Sequence, residues 1–156
     1  MKFKHITLFA VLAIISITLS AYKIAPEPKP ESTELSKDKG IEFFHGTYKE
    51  ALALAKKEKK PIFIDIYTVW CGPCKMMSNY VFTQKEVGDY YNENFINFKI
   101  DAERGEGPAV ARKFRIRAYP TLLFIDGNGQ VLKKAEGARG GNDFIKMGET
   151  VIAKTK

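Results

Sequence analysis

Cysteine is scarce in this chain, with 2 residues in 156. A scaffold held by several disulfides is therefore excluded, and so is a zinc site built from four thiolates. Histidine is equally scarce: only His5 and His45 are present, so the cysteines lack partners for a mixed Cys/His zinc site. Glycine (12) and proline (7) are too few for a low-complexity or collagen-like chain. There is no internal repeat. Acidic residues are the minority, 18 against 25 Lys and Arg, for a formal charge of +7. That excess is spread thinly, which makes it weak support for a nucleic-acid interface. With 45% hydrophobic and 28% charged residues, the composition suits one globular domain with appendages.

What is present begins with an address. Lys2 and Lys4 precede an uncharged run from Ile6 to Tyr22, rich in Ile, Leu, Ala and Val. A positive start followed by an apolar stretch reads as a signal peptide or an N-terminal membrane anchor over residues 1–22. The run is longer than most signal cores and shorter than a comfortable bilayer span, so both versions stand. No cysteine follows it as a lipoprotein acceptor. The two lysines favour the inner side, which places the rest outside the cytoplasm, in the periplasm or on the outer face of the membrane. Export also disfavours nucleic acid as a partner. Residues 23–40 alternate proline with charge around Pro26, Pro28 and Pro30. They cannot bury apolar area and are expected to form an extended linker.

Residues 41–156 alternate strand and helix patterns. Ile41–Phe44 is a short strand candidate. Thr47 and Glu50 have capping-box spacing, and Tyr48, Ala51, Leu52 and Ala55 then form one apolar stripe. The basic run Lys56–Lys60 suits that helix's C-terminal end. Pro61–Tyr67 reads as a strand buried on both faces, with Asp65 as a carboxylate that needs a reason to be there. A helix follows Cys71 through Met77, and Thr83 with Glu86 predicts a second helix start. Phe95–Ile100 is the next strand. Pro108 opens a helix through Phe114. Thr121–Ile125 and Val131–Ala135 flank a hairpin turn at Asp126-Gly127-Asn128-Gly129. Asn142 or Asp143 is expected to cap a final helix, with Phe144, Ile145, Met147 and Val151 inward. The predicted order is β-α-β-α-α-β-α-β-β-α, an α/β domain with a mixed central sheet and helices on both faces.

The chemistry lies at Trp70-Cys71-Gly72-Pro73-Cys74. Two cysteines separated by two residues can cycle between dithiol and disulfide, and that cycle needs no cofactor and no metal. Their position after a buried strand and at the start of a helix strengthens this reading. Cys71, at the helix N-terminus, faces unpaired N–H groups that stabilise its thiolate, so it is the expected nucleophile. Cys74 lies one turn into the helix. It is expected to be more buried and to act as the resolving thiol.

This arrangement resembles the thioredoxin superfamily. Trp70 to Cys74 equals the thioredoxin active-site motif, Tyr119-Pro120-Thr121 lies at the matching place, and the likeness spans roughly Phe43 to Ala153. The stretch from Tyr67 to Lys75, the Val81-Phe82 segment and the strand ending at Asp101 resemble one branch. That branch holds exported thioredoxin-like domains, including the C-terminal domain of the membrane thiol:disulfide interchange protein. The resemblance implies a single thioredoxin-like domain. It implies that Asp65 helps to deprotonate Cys74 and that Pro120 is a cis-proline facing the site. It also implies that Trp70, Gly72, Pro73, Tyr119 and Gly137 form the surface that receives substrate. The lysine that thioredoxins pair with the aspartate falls at Asn97 here, and Lys99, two residues on, is the candidate substitute. The expected function is an exported thiol:disulfide oxidoreductase that reduces protein disulfides. Its expected partners are protein thiols and disulfides, with a membrane electron carrier as donor, and the protein is expected to be monomeric. A disulfide-inserting oxidant and a thioredoxin-fold binding module or chaperone are the alternatives.

Overall fold

The structure is a computed structural model, and it describes residues 39–155. The signal peptide or anchor expected at 1–22, and nearly all of the linker expected at 23–40, lie outside the described residues. Among those described, no helix is long and apolar enough to cross a membrane.

The chain runs through α1 (Tyr48–Glu58), β1 (Ile62–Tyr67), α2 (Gly72–Met76), a π-helical segment (Met77–Val81) and α3 (Lys85–Asn94). It continues through β2 (Ile96–Asp101), α4 (Gly107–Lys113), β3 (Thr121–Ile125), β4 (Val131–Glu136) and α5 (Gly141–Ile152). The four strands lie in the order β2-β1-β3-β4. β1 pairs parallel to β2 and antiparallel to β3, and β3 pairs antiparallel to β4. The sheet is therefore mixed, with the helical crossover that a parallel pair requires.

β1 is central, and its side chains alternate between two apolar layers. Ile62, Ile64 and Ile66 pack with Phe98, Ile100, Leu123 and Ile125 under Ala51 and Ala55 of α1 and Val110 of α4. Phe63 faces the other way. It packs with Leu122, Phe124, Met77, Phe82, Tyr91 of α3 and Phe144 of α5. Register puts Asp65 beside Lys99 of β2 and Leu122 of β3, on the same face as Phe63. That second layer is strongly aromatic. Phe144 stacks on Tyr91 with centroids 4.0 Å apart and meets Phe63 edge-on at 5.0 Å. The Tyr91 hydroxyl donates to the Phe144 carbonyl at 2.8 Å, so burial of the phenol leaves its polar end satisfied.

Local signals set several element ends. Thr47 caps α1 through a complete capping box with Glu50. Asp126 builds the hairpin turn, its Oδ1 accepting from the N–H groups of Asn128 and Gln130 at 2.8 Å. Three expectations need correction. Ile41–Phe44 is not a strand but a single parallel bridge from Phe44 to Phe98, because the Ile41 and Glu42 N–H groups go to Phe82 O and Asn92 Oδ1. Thr83 does not open α3. Its hydroxyl donates back to Asn79 O, and the helix begins at Lys85 after Gln84. Nor does Asn142 or Asp143 cap α5, which starts at Gly141 with an extended Gly140 before it and Asp143 in its first turn.

Phe144→Ala is expected to lose about 3–5 kcal/mol, because it empties the middle of the aromatic layer. Thr47→Ala is expected to lose only about 1 kcal/mol, for one cap. Urea denaturation of both variants checks the ranking.

Candidate active site

The cysteine loop leaves the C-terminal end of β1. Cys71 donates its N–H to Thr68 O at 3.2 Å, which closes a tight turn and leaves Cys71 extended at the N-cap of α2. Its Sγ accepts from the Cys74 N–H at 3.1 Å. Pro73 lies in the first turn, where its missing N–H is harmless. Cys71 and Cys74 are joined as a disulfide. In this disulfide form both residues are buried, Cys71 3% and Cys74 2% exposed. The asymmetry lies in the hydrogen bond, because only the Cys71 sulfur receives a helix N–H. Gly72 and Pro73 are exposed, and a Cβ placed on Gly72 meets nothing within 4 Å. The approach beside Cys71 is open.

Trp70 is 63% exposed yet anchored. Its indole N–H points between both carboxylate oxygens of Glu103, at 3.0 and 3.1 Å, and its ring meets Tyr119 edge-on at 5.9 Å. The Tyr119–Pro120 peptide bond is cis. Pro120 O accepts from the Gly137 N–H at 2.8 Å. Gly137 has φ +83°, a conformation that favours glycine. Arg139 donates to the carbonyls of Gly137 and Ala138 at 3.1 and 2.8 Å. These contacts connect the cysteine loop, the Tyr119–Pro120 turn and the loop after β4 into one surface.

Glu103 was not singled out from the sequence. Its signal is topological: loops that follow adjacent parallel strands emerge at the same end of a sheet. The Ala102 N–H donates to Tyr67 O at 2.8 Å, which fixes that juxtaposition.

Asp65 lies on the strand leading to this loop and is 1% exposed. Neither of its carboxylate oxygens has a hydrogen-bond partner. Its counter-ion is Lys99, with Nζ 3.3 Å from Oδ2. Asn97 sits two residues earlier on that face, opposite Phe63, and its amide donates to Asn92 and to Glu42 O instead. The Lys99 ammonium donates to Ser78 Oγ and lies 4.7 Å from the Tyr67 ring centre, 5.6 Å from Phe43 and 5.7 Å from Phe82. Such ring faces favour a cation. Burial pushes the Asp65 carboxyl up to about 6 from the ordinary 3.8, against the opposing pull of Lys99. Among the described residues, no group of three or more His, Cys, Asp or Glu is placed to hold a metal ion.

A thioredoxin-like domain profile matches residues 48–152. The chain is 32% identical over 103 residues to chloroplastic thioredoxin Y from Oryza sativa, a match that covers 66% of this chain and 58% of that protein. A candidate disulphide-isomerase from Bacteroides thetaiotaomicron superposes with TM-score 0.66 at 41% identity, over 73% of this chain and 94% of that one. The C-terminal domain of Neisseria meningitidis DsbD in its oxidised form gives 0.58 at 27% identity, over 70% and 98%. The chain thus belongs to the thioredoxin-like domain family of disulfide oxidoreductases, with Cys71 and Cys74 as its cysteine pair.

The Asp65 carboxyl binds its proton more tightly in the folded state. Stability tied to this group is full below the unfolded value near 4 and is lost as pH rises through about 6. Asp65→Asn is expected to stabilise the disulfide form more at pH 7 than at pH 4, by roughly 3 kcal/mol. Denaturant titrations at both pH values check this. Equal effects at the two would contradict it.

Proposed function

We propose that this protein is an exported thiol:disulfide oxidoreductase that reduces protein disulfides through a Cys71/Cys74 cycle. The observation that carries the reading is the Cys71 sulfur at the head of α2, accepting the Cys74 N–H beside an open surface. The Cys71 thiolate attacks one sulfur of a substrate disulfide. A mixed disulfide forms and the first substrate thiolate leaves. Cys74 then gives its proton to Asp65, and its thiolate attacks the Cys71 sulfur. The second substrate thiolate leaves, and two electrons have passed from the protein to the substrate. A carboxyl near 6 is better matched than an ordinary one to accept a thiol proton at neutral pH.

The exposed Trp70, Gly72 and Pro73 and the half-buried Tyr119, with the backbone around Pro120 and Gly137, receive the substrate chain. Direction follows from what separates the cysteines. Gly72 and Pro73 add no positive charge, so the Cys71 thiolate gains only the helix end, and the reduced form is not strongly favoured. A membrane dithiol carrier returns the electrons, and the protein works as a monomer. Similarity to the C-terminal domain of DsbD supports the exchange chemistry. Export rests on Lys2, Lys4 and the run from Ile6 to Tyr22.

Cys74→Ser is expected to accumulate mixed disulfides through Cys71, and Cys71→Ser few; non-reducing gels of captured thiol proteins read the ratio. Equal capture would overturn the roles. Residues 1–40 fused to an enzyme active only outside the cytoplasm should yield activity, and an inactive, cytoplasmic fusion would remove export from the proposal.

A further inference from the structure

The segment ahead of α1 is bound more closely than a leader to a helix requires. Ile41 N–H donates to Phe82 O at 2.7 Å, Glu42 N–H to Asn92 Oδ1 at 2.8 Å and Phe44 N–H to Asn97 O at 2.7 Å. Asn92 Nδ2 donates in turn to Gly40 O at 3.1 Å, and Asn97 Nδ2 to Asn92 Oδ1 at 3.0 Å. Two asparagines from α3 and β2 therefore latch this backbone. It is seated on Gly88, in the middle of α3, where a Cβ would come within 2.4 Å of Lys39 O and 2.5 Å of the Gly40 carbonyl carbon. Glycine weakens a helix interior, and the close approach of this segment gives it a reason to be there.

What the segment borders is Lys99. Phe43 puts its ring 5.6 Å from the ammonium and packs edge-on against Phe82 at 5.5 Å. Outside it, a cleft of about 520 Å³ is lined by Gly40, Ile41, Phe43, Ser78 and Lys99. Lys99 is 26% exposed, and Asp65 behind it 1%. Phe43 and Lys99 line this cleft together, while Asp65, behind Lys99, is not part of its lining.

We propose that Gly40–Phe44 is a strap for the resolving step, with Phe43 as a positioning residue: it walls the Lys99 ammonium and keeps bulk water from the Asp65 carboxyl behind it. This rests on the reading of Asp65 as proton acceptor for Cys74. The direction of the effect follows from the other contacts. Tyr67, Phe82 and Ser78 hold Lys99 from their own sides, so loss of Phe43 opens the wall without freeing the ammonium. Water then reaches the pair and favours the charged carboxylate. The polar groups facing the carboxyl are Lys99 from β2 and, beyond it, Ser78, the Tyr67 phenol from β1 and, on the reading of the resolving step, the Cys74 thiol from α2. β3 contributes the apolar Leu122, and Glu42 of the strap is exposed.

The test is a carboxyl-carbon NMR titration of Asp65 in the full chain, alongside the pH dependence of mixed-disulfide resolution. In Phe43→Ala the Asp65 midpoint is expected to move by about one pH unit toward the ordinary carboxylate range, and the midpoint of resolution with it. Gly88→Ala, whose added Cβ displaces the strap while favouring the helix, is expected to do the same. Phe43→Tyr keeps the ring and is expected to leave both midpoints in place. Unmoved midpoints in folded Phe43→Ala overturn the strap, as they do in Gly88→Ala should Phe43→Ala not fold. A wild-type resolution rate that ignores the Asp65 midpoint instead overturns the proton-acceptor reading, and with it the strap's part in resolution.

Discussion

Asp65 places a carboxylate inside an apolar layer, between Phe63 and Tyr67 on the same face of β1. Removing such a charge from water is expensive unless it is paired. The partner, Lys99, is brought to 3.3 Å by the parallel register of β1 and β2. Lys99 is itself held by three aromatic rings and a serine hydroxyl. These groups come from the N-terminal segment, β1, the π-helical segment and Phe82 beyond it. Much of the second layer is therefore organised around keeping one unfavourable charge in place. Burial outweighs the ion pair, which is why the carboxyl titrates high.

The same strand delivers the cysteines. β1 is apolar on both faces, so its position in the sheet is fixed, and the loop at its C-terminal end inherits that rigidity. Cys71 is then set by a backbone bond to Thr68 and Trp70 by Glu103 and Tyr119. The reactive pair sits where two parallel strands end, the position at which sheets of this class present their loops. The buried carboxyl lies on β1 itself, and the surface proposed to receive substrate is built from the loops beyond the strand ends.

How much of this could be read in the sequence depended on whether its cause was local. The capping box at Thr47 and Glu50, the turn at Asp126 and the cysteine motif each lie within a few residues, and each was found where expected. Asp65 stood out as a charge in an apolar run. Features that depend on distant partners were hidden. The N–H groups of Ile41 and Glu42 are taken by Phe82 and Asn92, about 40 and 50 residues away, so an apolar segment read as a strand becomes a strap. Thr83 and Glu86 have cap spacing, but the π-helical segment ends just before them and Thr83 turns back to it. No residue type marks a bond such as Phe82 N–H to Met77 O, five residues apart. Glu103 became visible only once the two parallel strands were aligned.

Direction of electron flow is the claim on which the functional account turns, and it rests on how little stabilises the Cys71 thiolate beyond the end of α2. The reduction potential of the Cys71–Cys74 pair, measured by equilibration against glutathione or dithiothreitol, tests it directly. A value near the reducing end of the family's span, roughly −270 mV, is the predicted result; a value near −120 mV would make the protein an oxidant and contradict the account.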